Sequence, residues 1–410
     1  MAKKPARDLT REEQLARGPM DLPFLMLVLL LLGIGIIMLL SASSVSARYD
    51  DVSQGSPTYY FTRQLLFGVA GVAVLYLVSK INYQTFRLLS VFVLAGGVAL
   101  LVLVLVPGLG VEVNKATRWL KLFLVAGPTY QPSEIAKIGV IMYFAARLSK
   151  RQDGPVKLKH RLSEPFETIR AALNRIGLLE LIPYAAILLL IAVLMLLEPH
   201  MSGTILVFIG GAAVLFAAGI RMYWFVGGGL MAAGGLWVIM NTMSHTSTRL
   251  ETWYDPWTAY QNGVASAYQI IQSLYAIGSG GLLGLGLGQS RQKYLYLPEE
   301  QNDFIFPIIC EELGLIGACL VLVLFILLIV RGYWIALHAR DRFGALLVVG
   351  ITTLFAAQVF LNVAVVTNLI PTTGISLPFF SYGGTALMIQ LAEMGMVLSV
   401  SRQIPAPRQG

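Results

Sequence analysis

The chain has 410 residues, of which 56% are hydrophobic and only 13% charged; a soluble domain carries about 25% charged residues, so a soluble globular fold is excluded. The apolar runs do not alternate at period two, which excludes a transmembrane barrel. The net charge of +8 is accounted for by basic segments at one membrane face rather than by nucleic-acid binding, and the four histidines are too scattered for metal-ligand spacing.

Residues 1–21 are polar and basic and read as a tail. Ten membrane spans are predicted, at 22–42, 63–80, 88–107, 132–148, 181–197, 203–220, 223–243, 304–330, 344–366 and 384–400, each near the roughly 20 residues a bilayer needs. The first apolar run is too long for a signal h-region and lacks a small-residue cleavage motif, so it reads as a retained helix. With the N-terminus inside, 21 of the 30 lysines and arginines fall on the inner side. The positive-inside rule then puts both termini in the cytoplasm. The expected architecture is an all-α polytopic membrane protein. It comprises the tail, a transmembrane domain over 22–400 and a cytoplasmic C-terminal tail over 401–410. A long extracellular segment, 244–303, lies between spans seven and eight. Cys310 and Cys319 fall on opposite faces of one predicted helix, so they cannot pair.

The inner loops look generic. Residues 149–180 read as a basic loop held at the anionic inner leaflet, with an amphipathic helix near its end. No internal repeat stands out, and matched Gly/Pro-broken spans of an inverted-repeat transporter are not seen. The outer loops carry the unusual chemistry.

Within 114–137, Arg118 and Trp119 sit in a predicted loop, where Trp suits the headgroup level. Glu134 and Lys137 share a helix face at the start of a span. Charges there are expensive, so they pair or face a cavity. At Glu198-Pro199-His200, Pro199 stops one helix and Ser202 can cap the next. Glu198 and His200 either complete a tight turn or line an outer cavity.

Residues 244–267 mix aromatic and polar side chains, which suits a helix or loop lying on the membrane surface. The glycine-rich run 278–288 follows no strand and lacks the Gly-Lys-Ser/Thr ending of a P-loop, so nucleotide binding is not expected. It is either a flexible loop or a place where backbone N–H groups approach a phosphate, with Arg291 and Lys293 close by in sequence. Asp303 stands just before an apolar run. It can cap the next helix, or serve as a general base whose pKa is raised by desolvation, and the two roles are compatible. In 368–385, two prolines and three glycines interrupt an apolar region. Irregular backbone at membrane depth must be buried in protein or line a wet cavity, so a re-entrant segment beside a site is expected.

Taken together, these blocks resemble one family. They are Arg118-Trp119, the run Gln131-Pro132-Ser133-Glu134-Ile135-Ala136-Lys137, the block 268–288, Tyr296-Leu297-Pro298-Glu299, Asp303-Phe304-Ile305-Phe306, Glu311-Glu312-Leu313-Gly314, and Pro371 through Gly384. The chain is similar to the SEDS (shape, elongation, division and sporulation) family, whose members include FtsW, RodA and SpoVE, and most resembles FtsW or SpoVE. The resemblance implies ten transmembrane helices in the bacterial cytoplasmic membrane. It also implies polymerisation of lipid II into nascent glycan on the outer face, for cell division or related wall synthesis. A class B penicillin-binding protein (a transpeptidase) is the implied partner, alongside other divisome or elongasome membrane proteins.

The family's essential aspartate falls on Asp303. Its outer-loop Arg-Trp pair falls on Arg118 and Trp119, and its Pro-Ser/Ala-Glu…Lys pattern on Pro132, Ser133, Glu134 and Lys137; Arg118, Trp119, Glu134 and Lys137, with Gln269, Gln272, Ser273, Pro298, Glu299 and Ser381 in the matching blocks, are the expected substrate-binding residues. Many members carry Gln-Pro-Asp where this chain has Glu198-Pro199-His200, so a carboxylate role at the third position does not carry over. Many also have His-Thr before the aspartate, where this chain has Gln301-Asn302. The expected enzyme is a glycosyltransferase in which Asp303 takes the acceptor proton. Cations from Lys115, Arg118, Arg249, Arg291 and Lys293 would neutralise the leaving pyrophosphate, with or without a divalent cation such as Mg or Mn. Two readings from other classes are a lipid II flippase, which needs cations at both faces, and a non-catalytic divisome scaffold.

Overall fold

The computed structural model describes residues 18–113, 116–121, 129–151, 177–242 and 244–404. The tail before residue 18, Lys115 and almost all of the basic loop 149–180 lie outside the described residues. Among the described residues, ten helices lie at the positions of the ten predicted spans. They are α1 (Leu22–Ser43), α2 (Tyr59–Lys80), α3 (Tyr83–Val104), α4 (Pro132–Leu148), α5 (Leu178–Leu197), α6 (Met201–Ala217) and α7 (Met222–Thr242), then α11 (Ile305–His338), α12 (Arg342–Val366) and α13 (Gly384–Ser401). Seven of them, α1, α2, α3, α5, α11, α12 and α13, are long and apolar enough to cross a membrane. The segment between α7 and α11 forms three further helices, α8 (Ser244–Tyr254), α9 (Pro256–Gln261) and α10 (Ala265–Ser279).

The helix starts follow from local chemistry. Asp21 accepts from the Phe24 N–H at 2.9 Å, with Pro23 in the first turn of α1. Asn82 caps α3 through the Gln84 N–H, and Asp341 caps α12 through the Gly344 N–H. These side-chain oxygens satisfy amides that have no partner inside the helix. At the same end of the bundle the first and last described segments meet. Arg331 grips the Asp21 carboxylate with two nitrogens at 3.0 and 2.7 Å, and Gly18 donates to the Arg402 carbonyl at 2.7 Å.

The core lies along α4, α12 and α13. Helix α4 is buried on nearly every face, although it carries Glu134 and Lys137. The helices around it turn leucines and valines outward, as lipid contact requires.

Two features depart from the expected plan. The predicted outer loop 108–131 contains a small antiparallel sheet, β1 (Gly110–Val113), β2 (Ala116–Lys121) and β3 (Thr129–Tyr130), in the order β1-β2-β3. Arg118 and Trp119 therefore sit on a strand. The predicted span 304–330 is also displaced, because α11 breaks at Gly314, where φ is 68° and ψ is −172°. Residues 304–312 are buried in protein throughout, whereas large apolar side chains become exposed from Leu315 onward. Hydropathy rates an apolar run alike whether protein or lipid covers it, so the run alone could not reveal the break. Cys310 is buried and Cys319 exposed, both unpaired, as expected, though the helix between them is bent.

The glycine-rich run fills this break. The Leu285 and Gly286 amides donate to the Glu311 and Glu312 carbonyls at 2.9 and 3.0 Å, and the Leu315 amide donates to the Gly281 carbonyl at 2.9 Å. The amides that a phosphate would have used at 285 and 286 are thus occupied by the broken helix. A Cβ on Gly314 would stand 2.3 Å from the Gly284 nitrogen, and its backbone conformation is essentially restricted to glycine. Gly314→Ala is expected to cost about 1–3 kcal/mol in overpacking, with backbone strain of about 1–3 kcal/mol in addition. A lowered unfolding midpoint in detergent measures it, and an unchanged midpoint would contradict the break.

Candidate active site

The site lies where β2, the α5–α6 turn, α8, the residues before α11 and the irregular segment 367–383 converge. Arg118 owes its position to a strand irregularity. Val111 faces Trp119 and Glu112 faces Thr117, so Arg118 is the extra residue of a bulge. A bulge re-aims a side chain out of the alternating pattern. The Arg118 guanidinium donates to the Pro199 carbonyl, which pins it to the α5–α6 turn.

Asp303 is half-buried. It is not a helix cap: the cap of α11 is Phe304, which makes no side-chain bond. Its backbone is clamped instead. Asn362, buried within α12, donates from Nδ2 to the Asp303 carbonyl at 2.8 Å and to the Ile375 carbonyl at 2.7 Å. Ser381 Oγ donates to the Asn302 carbonyl at 2.7 Å, and the Tyr382 amide donates to the Gln301 carbonyl at 2.8 Å. The irregular segment therefore holds the three residues 301–303 from one side. The Asp303 carboxylate lies against Gly374, where an added Cβ would come within 3.2 Å of Oδ2. Gly374 is exposed and has φ of 68°, so the carboxylate has an open side there.

Charge sets the character of these groups. Burial and the neighbouring Glu299 raise the Asp303 carboxyl, against the pull of Arg118, to about 6. Burial pushes Glu198 up to about 8, opposed by Arg118. His200 is pulled down to about 3 by burial and then by Arg118 and Lys137, so it is neutral at physiological pH. Burial, and then Arg249, lower the Arg118 guanidinium, which Asp303 and Glu198 partly restore. Arg249 is half-buried on α8, donates to the Thr372 carbonyl at 3.2 Å, and is itself lowered by burial. Two guanidinium groups thus share one site with the carboxyl groups of Asp303, Glu198 and Glu299. Among the described residues, both Glu198 oxygens, His200 Nδ1 and Arg118 Nε find no hydrogen-bond partner.

The remaining predicted positions are distributed. Glu134 and Lys137 form a buried ion pair at 2.8 Å on α4, with Lys137 also facing His200 and Glu393 electrostatically. Trp119 is half-buried and pairs with Val111 across the sheet. Gln269 Nε2 donates to the Pro298 carbonyl at 3.1 Å, Ser273 Oγ donates to the Val366 carbonyl at 2.7 Å, and Gln272 is half-buried on α10. Glu299 accepts from the Asn302 side chain at 2.6 Å. Pro298 and Arg291 are exposed. Lys293 is buried against Glu312 at 3.1 Å and against the Gly288 carbonyl at 2.6 Å. These contacts use the ammonium group that was expected to meet a phosphate, because a buried cation must take the nearest carboxylate and carbonyls. Ser381, Ser273 and Lys293 are thus tied into the scaffold.

Among the described residues no group of three His, Cys, Asp or Glu side chains is placed to hold a metal ion. With Arg118 facing Asp303, the protein groups alone do not fit a divalent cation. Sequence reasoning missed Asn362, and it placed Thr372 and Gly374 in a segment beside the site without naming either as a site residue. The signal for Asn362 was present: a polar residue inside the span 344–366 faces the bundle interior and has a partner. Asn362→Leu leaves two buried carbonyls unpaired, at about 1–3 kcal/mol each. A lowered unfolding midpoint is expected, together with a larger fall in activity than that stability loss explains. Normal activity at a normal midpoint would remove Asn362 from the site.

A bundle of helices long and apolar enough to cross a membrane, with carboxyl and guanidinium groups gathered at one end, defines a polytopic membrane protein. The chain belongs to the FtsW/RodA/SpoVE cell cycle protein family, which it matches over residues 22–405. It is 40% identical to the stage V sporulation protein E of Bacillus subtilis (strain 168) over 386 residues, covering 93% of this chain and 97% of that one. It is 38% identical to the FtsW of Trichlorobacter lovleyi, named a probable peptidoglycan glycosyltransferase, covering 93% of each. Among solved structures, it resembles a chain from a peptidoglycan synthase complex described as coordinating polymerization and crosslinking, at 26% identity and TM-score 0.69, covering 93% of this chain and 98% of the other. It also resembles the rod shape determining protein RodA of Thermus thermophilus, at 25% identity and TM-score 0.60, covering 95% and 98%.

Proposed function

We propose that this chain is a peptidoglycan glycosyltransferase that polymerises lipid II into glycan strands on the outer face of the cytoplasmic membrane. The family membership and the names of relatives at 34–38% identity support the enzyme class. The observation that carries the chemistry is Asp303, a half-buried carboxyl raised to about 6 and open toward Gly374 beside Arg118 and Arg249. The excess of lysine and arginine in the opposite set of loops supports an outward-facing site.

In this reading Asp303 accepts the proton of the acceptor sugar's 4-hydroxyl. The freed oxygen attacks the anomeric carbon of the growing glycan, and the bond to the prenyl pyrophosphate breaks with the electron pair leaving on phosphate. Arg118 and Arg249 neutralise that charge in a site partly shielded from water, where such contacts are strongest. Glu198 stays protonated below about pH 8, so it does not consume the Arg118 charge. A base poised near the working pH transfers a proton efficiently in both directions. The partner is a class B penicillin-binding protein, in keeping with the likeness to a chain of a synthase complex.

The test is glycan-strand formation from purified lipid II by this chain and its partner in detergent, where no membrane sidedness exists. Strands are the expected product. Lipid II movement across vesicles without strand formation would support a flippase instead, and activity from the partner alone would support a scaffold.

A further inference from the structure

The glycine-rich run was expected to be either a flexible loop or a place where backbone N–H groups approach a phosphate, and its amides at 284, 285 and 286 are bonded within the protein. Its side chains remain unexplained. Leu283 is 81% exposed, Leu282 66% and Leu287 55%, with Leu285 also exposed, and no charged residue stands between 280 and 288. Such a concentration of exposed leucines marks a contact surface.

The surrounding structure shows what covers it. The loop is bonded to the top of the membrane-crossing part of α11, Leu315 to the Gly281 carbonyl at 2.9 Å and Ile316 to the Leu282 carbonyl at 3.2 Å. Leu315 and Ile316 are 56% and 60% exposed and begin the outward apolar stripe of that helix. The loop leucines therefore continue a surface that lipid already covers. Irregular backbone can sit in hydrocarbon only when its polar groups are paired within the protein. The amides of Gly284, Leu285 and Gly286 are paired, as are the carbonyls of Gly280, Gly281 and Leu282. The chain that follows turns polar at its edge, where Arg291, Tyr294 and Tyr296 are exposed, and tyrosine and arginine are the residues that suit a headgroup layer.

We infer that residues 280–288 form a membrane-dipping loop whose leucines are immersed in bilayer hydrocarbon at the Asp303 end of the bundle, with Arg291, Tyr294 and Tyr296 at the headgroups. Through Lys293 and Glu312 this loop is fixed to the residues leading into Asp303, so it sets the height of the site relative to the bilayer.

The test uses the full chain, without partner, in nanodiscs. In a Cys319→Ser background, Leu283→Cys and, separately, Leu287→Cys are labelled with bimane. Both positions are exposed, so neither label disturbs packing. The expected result is blue-shifted emission that acyl-chain doxyl phospholipids quench and aqueous iodide does not, with the opposite pattern for Gln289→Cys. Iodide quenching at both leucine positions would overturn the inference. Shielding from both quenchers would also overturn it and would indicate a protein cover, a second copy included. The readout is optical and does not depend on the glycosyltransferase reading.

Discussion

Asp303→Asn is expected to reduce polymerisation by about 10²–10⁴-fold, the range attached to a positioned base, while the protein stays folded and still binds its partner. Folding is spared because the side chain is not the cap of α11, and the clamps from Asn362, Ser381 and Tyr382 act on backbone atoms that the substitution keeps. The pH dependence sharpens the expectation. A base works only when deprotonated, so kcat/KM falls as pH drops through about 6, and this acid limb is absent in Asp303→Asn. Glu299 raises the carboxyl, so Glu299→Gln moves the limb to lower pH. Arg118 lowers it, so Arg118→Ala moves the limb to higher pH, with an added loss of rate from the missing cation. Strand formation by Asp303→Asn at the normal rate, assayed on gels with labelled lipid II, would end the assignment.

The helices were legible because each apolar run is near bilayer length, and caps such as Asp21 and Asp341 stand where the runs begin. The break at Gly314 was not, since Phe304 through Cys310 are as apolar as a true span, although Glu311 and Glu312 just after them are the kind of charges that protein rather than lipid must cover. The site was half legible. Asp303 announced itself as the carboxylate that stands at the mouth of an apolar run, one of five acidic residues between 299 and 312, and the family resemblance pointed to Arg118. What aims Arg118, an extra residue in β2, is a register property that no single-residue pattern displays. Lys293 was read as a free cation because Glu312 is distant in sequence. The sequence neighbours of Lys293, Ser290, Arg291 and Gln292, are polar, so only the fold shows it buried against that carboxylate.

That pair makes the second large effect. Lys293 and Glu312 are 3% and 0% exposed in their side chains and 3.1 Å apart. Lys293→Met removes the cation and strands a buried carboxylate, which Ser41 Oγ and the Ser290 amide contact but do not neutralise. Breaking a buried pair from one side costs about 3–5 kcal/mol, because the surviving charge is uncompensated, while replacing both partners is often nearly neutral. The unfolding midpoint of Lys293→Met in detergent is therefore expected to fall well below that of Lys293→Met with Glu312→Gln, where a neutral amide keeps the Ser290 bond. The order matters more than the size. If the double variant is no more stable than the single one, Lys293 contributes through its bond to the Gly288 carbonyl rather than through charge. The same comparison reads on the site, since this pair joins α1, the glycine loop and the start of α11. Activity lost in Lys293→Met and regained in the double variant would show that the height of Asp303 depends on that joint, whereas loss in both would return Lys293 to the substrate.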